Sequence, residues 1–371
     1  MKKADLIVAA SANSADMLYA CGFVAPDPFI YFSGAGETGI ILSALEQDRA
    51  EKDCRPEVAV YGRDEFSVDE KAKSIDLILA LAQKYDFTGF RVPGDFPLKL
   101  ADELRAAGMT VTAEKEQFFP RRQFKSRQEV EAITDALRVT ETSMRRAINI
   151  IGEASIGADG ALLWNGGILT SELLRSEINI EIIRNGGMPD HTIVAGGCQG
   201  AEPHNVGNGI LYAGQSIIID IFPRMSSTGY WGDLTRTLVK GNAPDILKKA
   251  FAAVLEARER AKELIRPGAI PAEVHKFANE ILARHGFLTG RQDGRNFGFF
   301  HGLGHGVGLE IHEAPRLSPV NHEPLKGGEV VTVEPGLYYP EWGGVRLEDM
   351  VAVCSGGCNC LTEIETVLEI D

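Results

Sequence analysis

Asp220, Asp233, His305, Glu334 and Glu348 have the residue types and settings of a two-metal site. They fall in the runs SIIIDIF, YWGDLTRT, HGLGHGVGLEIHE, VVTVEPGLYY and GGVRLEDMVAV, each apolar, strand-like or glycine-rich. A carboxylate embedded in such a run must be paired or must hold a cation, because an uncompensated buried charge is costly. Four carboxylates and one imidazole are what two adjacent divalent ions require, with two carboxylates bridging and one water shared. Taken singly, each residue has a plainer explanation. Asp220 could be a strand-end carboxylate held by backbone N–H groups, and Asp233 a turn cap. Glu334 or Glu348 could be a buried acid paired with Arg346, and His305 a packed imidazole. The joint occurrence outweighs these separate explanations.

The elements that must position these residues are legible in the periodicity. Up to about residue 115, DLIVAA, FIYFSG, GIILSA, VAVYG, FRVP and MTVTA read as strands. SIDLILALAQKY and LKLADELRAAG carry helical spacing, and Gly108 is placed as a C-cap. GAGETG lacks the Lys-Ser/Thr of a phosphate loop and reads as a hairpin turn. Pro120 and its charged flanks break both periodicities. A helix then opens at Ser126, with Glu129 three residues on to form a capping box. Further helical patterns follow at SELLRSEINIEIIRNGG, ILKKAFAAVLEARERAKELI and PAEVHKFANEILARHG, and the ligand-bearing segments lie between and after them. The reading is an α/β domain over residues 1–122 and a sheet-with-helices domain over 123–371 that holds all the chemistry.

Bulk properties fit an enzyme. The chain has 371 residues, 44% hydrophobic and 24% charged, with a net charge of -14. That charge disfavours nucleic acid and anionic membranes as partners. No apolar run is long enough to span a bilayer. LIVAA near the N-terminus is too short for a secretory signal and follows Asp5, so the expected location is the cytoplasm. Six scattered cysteines do not form a disulfide framework. The cluster CSGGCNC has no second ligand pair at zinc-finger spacing and is read as a turn between strands.

From PHNVGNG through GYWGDLTRT, HGLGHGVGLEIHE, VEPGLYYP and GGVRLED, the chain resembles the methionine aminopeptidase–prolidase–creatinase superfamily. The resemblance is strong over residues 126–371. The extra first domain, with its DMLYACGF segment, points to the Xaa-Pro peptidase branch. It implies an α+β fold: a C-terminal pita-bread domain, with a curved antiparallel sheet under covering helices, after a smaller α/β domain. By the same resemblance Asp220 would hold one ion, Asp233 and Glu348 would bridge both, and His305 and Glu334 would complete the second. Mn²⁺ is the expected metal, with Co²⁺ or Zn²⁺ as alternatives. His204 would contact substrate near the scissile amide and His301 would line the proline side. His312 would donate to the developing oxyanion, and Glu334 would also carry the proton. Arg346 would orient carboxylates or substrate.

One departure from the family is visible. Asp220 and Asp233 are 13 apart, two more than usual, and a longer turn at Arg224–Gly229 would absorb an even insertion without changing the face either residue occupies. The implied activity is hydrolysis of the bond before proline in a small peptide, as a dipeptidase or an aminopeptidase, by a homodimer. A hydrolase of another small-molecule or N-acyl C–N bond is the alternative. A non-catalytic binding module ranks last, because all five ligand positions are filled.

Overall fold

The computed structural model describes residues 2–67, 69 and 71–371. The chain divides into two compact units, Met1–Arg122 and Gln123–Asp371.

The first unit is a six-stranded mixed sheet. Its strands are β1 (Lys3–Ala9), β2 (Phe29–Gly34), β3 (Glu37–Leu42), β4 (Ala59–Gly62), β5 (Gly89–Val92) and β6 (Thr110–Ala113), in the order β4-β3-β2-β1-β5-β6. Alternation along the central strands divides the core between the two faces. Leu6, Ile30 and Phe32 pack against α3 (Ser74–Tyr85) and α4 (Leu98–Ala106). Ile7, Phe29 and Tyr31 pack with Met17 and Cys21 of α1 (Ala15–Cys21) and Ala50 of α2 (Ala44–Asp53). The GAGETG segment is the β2–β3 hairpin, and Ala35 and Gly36 both take positive φ at its tip. Right-handed strand twist favours that turn geometry.

The second unit has two principal sheets and four long helices. α5 (Arg127–Glu153) opens at Ser126 with the expected capping box, in which Ser126 Oγ accepts from the Glu129 N–H and the Glu129 carboxylate accepts from the Ser126 N–H. α6 (Ser171–Arg184), α7 (Asp245–Leu264) and α8 (Pro271–Arg284) complete the set. One sheet runs Ile193–Gly196, Ile217–Ile221, Leu234–Lys240, Glu369–Ile370. The other runs Glu313–Leu317, Gly304–Gly306, Val330–Val333, Asp349–Cys354, Gly357–Cys360.

Period-2 alternation again decides what faces the core and what faces the chemistry. Ile217, Ile219, Ile221, Leu234 and Leu238 pack under α5 and α6. Asp220 and Thr235 are paired across the ladder, so Asp220, Thr235, Thr237 and the adjoining Asp233 share the opposite face. Each fully buried Ile or Leu contributes roughly 1.5–3 kcal/mol. Between Asp220 and Asp233 the chain makes a tight turn, where the Gly229 N–H donates to Met225 O and the Met225 N–H to Tyr230 O. Among the described residues, no helix is long and apolar enough to cross a membrane. The six cysteines are unbonded thiols.

Candidate functional site

At the site the strand Leu234–Lys240 meets the segment 343–348, whose Gly343–Arg346 pairs with Gly336–Tyr339 in a further two-stranded ladder, and side chains make much of the join. The Glu348 N–H donates to Thr235 O at 3.1 Å, and Thr235 Oγ1 donates to Glu348 Oε2 at 2.8 Å. Thr237 Oγ1 accepts from the Arg346 N–H and donates to Arg346 O, both at 2.9 Å. Arg236, 1% exposed, donates to Glu348 O and to Asp349 Oδ1. Asp349 also faces Arg258 and Lys262. The segment LTRT thus holds Asp233 and Glu348 in register across a seam that no continuous backbone ladder spans.

All nine side chains singled out in the sequence line one cavity of about 580 Å³ in the second unit. One donor atom each from Asp233, His305 and Glu348 lies within 4.8 Å of the others, and all three residues are buried. Among the described residues, no other three His, Cys, Asp or Glu donors converge in this way, the CSGGCNC cysteines included. Glu334 Oε1 is 3.3 Å from His305 Nε2. Asp220 lies on the same wall, and its Oδ2 accepts from Arg346 at 2.7 Å.

Burial and mutual repulsion shape the electrostatics. Burial first, then the neighbouring carboxylates, drives the proton affinities of Asp233 and Glu348 well up. Burial raises Glu334 to about 7, opposed by Arg346 and reinforced by Asp220. Burial, with His312 adding, lowers His305 to about 3. The ring is therefore neutral at pH 7, and its approach to Glu334 and Asp233 is not an ion pair. Its Nδ1 meets Gly306 O at 3.2 Å. If Nδ1 carries the proton, the Nε2 lone pair faces two carboxylates.

Those facts test whether divalent ions fit. A lone pair facing carboxylates calls for a cation between them. So does a buried Asp220 Oδ1 with no hydrogen-bond donor. Four carboxylates and one neutral imidazole are also the donor set that intermediate and hard divalent ions prefer. The residues fit the group.

The sequence-predicted histidines play different parts. His301 Nδ1 meets Gly302 O at 2.7 Å and its Nε2 meets Tyr338 Oη at 2.9 Å. Both nitrogens are engaged, so His301 offers a ring face rather than a proton. Its proton affinity falls to about 3 through burial and then Arg346. His312 stands edge-on to His305 with ring centroids 4.2 Å apart, and His204 lines the opening beside Pro203. Three participants were not anticipated. Tyr338, fully buried, accepts from Arg346 Nη1 at 3.0 Å. Thr235 holds Glu348 as described. Arg316 lines the cavity and forms no ion pair with an acidic side chain among the described residues. Tyr338 and Thr235 lie inside the quoted motifs, but a strand Tyr or Thr looks like ordinary core until its hydroxyl partner is known. Arg316 lies outside them, four residues after His312.

Comparison with known proteins agrees with this geometry. The profile of metallopeptidase family M24 matches residues 131–355. The Xaa-Pro dipeptidase of Pyrococcus furiosus is 33% identical over 278 residues, which is 73% of this chain and 76% of that protein. The Xaa-Pro dipeptidase of Pyrococcus horikoshii is 38% identical over 178 residues, 48% of each chain. In three dimensions the prolidase from Pyrococcus furiosus overlaps with a TM-score of 0.79 at 26% identity, covering 98% of this chain and 96% of that one. An X-Pro aminopeptidase from Thermotoga maritima overlaps at 0.84 and 23% identity, covering 98% and 97%, a likeness of fold. These overlaps give the fold class: an α/β domain followed by an α+β catalytic domain of the pita-bread type.

Proposed function

The chain belongs to metallopeptidase family M24, and we propose that it hydrolyses the peptide bond preceding proline in short peptides. The observation that carries the proposal is the convergence of Asp233, His305 and Glu348, with Glu334 and Asp220 beside them, in one cavity that also presents His204, His301, His312 and Arg346. The names of the Pyrococcus relatives support the choice of bond.

In this reading Asp220, Asp233, His305, Glu334 and Glu348 hold two divalent ions, Mn²⁺ first, with Co²⁺ or Zn²⁺ as alternatives. The chemistry such ions supply when bound is acidification of a water molecule and polarisation of a carbonyl oxygen. Glu334 takes the proton of the attacking water and delivers it to the leaving nitrogen. His312 donates to the carbonyl oxygen as charge develops there. His204 contacts the substrate beside the scissile amide. Phe300 and the ring face of His301 form the wall for the proline side chain. Proline presents no amide N–H, so a site that asks for none suits it. Arg346 holds Asp220 and, through Tyr338, the His301 ring.

Arg316 favours the dipeptidase form. A guanidinium on the cavity wall without an acidic partner among the described residues suits the free carboxylate of a dipeptide. The reading extends to a homodimer in the cytoplasm, which light scattering and fractionation would test. The decisive experiment strips the protein, reloads Mn²⁺ and measures product release from Xaa-Pro, Xaa-Pro-Yaa and the matched alanine peptides. Metal-dependent cleavage limited to proline peptides, fastest on the dipeptide, is expected. Equal rates on alanine peptides, or cleavage of N-acyl amino acids alone, would overturn the reading.

A further inference from the structure

Lys125 and Glu313 are almost completely enclosed, with side chains 1% and 2% exposed, and the lysine Nζ donates to Glu313 Oε1. Neither lines the reaction cavity. Breaking up such a pair leaves a stranded charge, whereas apolar replacement of both partners is often neutral or stabilising. Cohesion alone therefore does not account for an ion pair here, and what it holds is informative.

Glu313 immediately follows His312 and begins the strand Glu313–Leu317, whose outer face carries Arg316. That strand pairs with Gly304–Gly306, which carries His305, and its register shifts between His305 and Gly306. Such an irregularity interrupts the ladder and bends the strand, so the aim of the side chains beside it depends on contacts outside the ladder. The Glu313 carboxylate also packs against Gly308, where an added Cβ would come within 2.3 Å of Oε1. That contact gives the glycine in GVGLEIHE its reason.

A closed ring of contacts surrounds the loop between His305 and His312. The Lys125 N–H donates to Gly328 O at 2.7 Å, and the α5 capping box begins at the next residue. From that box, Glu129 accepts from Tyr230 Oη at 2.8 Å. The next residue, Trp231, donates its N–H to Gly308 O at 3.0 Å and its Nε1–H to Leu309 O at 3.1 Å. From the loop the ring returns through Glu313 to Lys125. Trp231 is itself two residues from Asp233.

Resting on the hydrolase reading above, we propose that Lys125 and Glu313 are positioning residues for that reaction, fixing the register of the strand that presents His312 and Arg316. The pair acts through His312 and touches no substrate.

The test is the double variant Lys125→Met/Glu313→Leu, with Lys125→Arg and Gly308→Ala beside it. The double variant should fold, bind metal as the parent does and lose about tenfold to a hundredfold in kcat/KM on Xaa-Pro, mostly in kcat. Gly308→Ala, which displaces the carboxylate without changing charge, should lose kcat in the same direction. A folded double variant with kcat and KM within twofold of the parent overturns the proposal. If the double variant does not fold, Lys125→Arg decides in its place: reduced kcat with retained metal binding supports the proposal, and unchanged kcat overturns it. Hydrogen exchange separates this from failure of the peptidase reading. If the parent cleaves no proline peptide, faster exchange confined to amides 306–316 in the variant still supports positioning, and unchanged protection there refutes it.

Discussion

Asp233 and Tyr338 mark two ways in which a single residue can matter here. Asp233→Asn removes one of three converging donors and relieves repulsion among buried carboxylates. It should abolish turnover and lower bound metal, measured by elemental analysis, while the stripped protein melts no lower than the stripped parent. Tyr338→Phe leaves Arg346 Nη1 and His301 Nε2 without a shared partner. A lost buried partner costs about 1–3 kcal/mol, which chemical denaturation would read, and kcat/KM should fall with it. His275 supplies a pH-dependent case. Burial lowers its proton affinity below the ordinary 6.5, and its Nε2 meets His301 O. The folded state disfavours the imidazolium, so this stabilisation is complete above pH 6.5 and is lost as pH falls through the depressed folded value. His275→Gln should flatten that limb of the stability profile. The five residues proposed as ligands stood out in the sequence because each lies in a motif where charge contradicts its surroundings, and the structure places all five on one cavity. Tyr338 and Arg316 were not, because an aromatic in a strand and an arginine near a loop contradict nothing.

The strand Leu234–Lys240 is buried at every position, although its sequence LTRTLVK carries two cations. Period 2 alone does not read it, since neither face is solvent. Arg236 is tolerated because Asp349 and several carbonyl oxygens enclose it. Arg236→Met should cost about 3–5 kcal/mol, visible as a lower denaturation midpoint with the slope unchanged, because it breaks a buried network on one side only. By contrast the start of α5 was readable from Ser126 and Glu129, since a capping box is a local device. Ser126→Ala should cost about 1 kcal/mol. Local signals such as caps, turns and alternation survive in the sequence. The seam between Leu234–Lys240 and the segment 343–348 does not, because its partners Thr235–Glu348 and Thr237–Arg346 are more than a hundred residues apart.

Across the molecule, the site is a concentration of negative charge in a chain that already carries a net charge of -14. Stripping metal should lower the melting temperature, and readdition should restore it in proportion to the logarithm of free metal above the dissociation constant. A melting temperature indifferent to metal would count against the ligand assignment. The seam has one more consequence. Leu234–Lys240 and Gly343–Arg346 belong to separate ladders, so opening between them breaks neither, and the line through Thr235, Thr237, Arg346 and Glu348 is a crease. Along it the Glu348 amide should exchange with solvent while Ile219 and Val331, deep in their ladders, stay protected. Cations gripped from both sides would act as a clasp on that crease, so the escape of metal would time the opening of the protein itself.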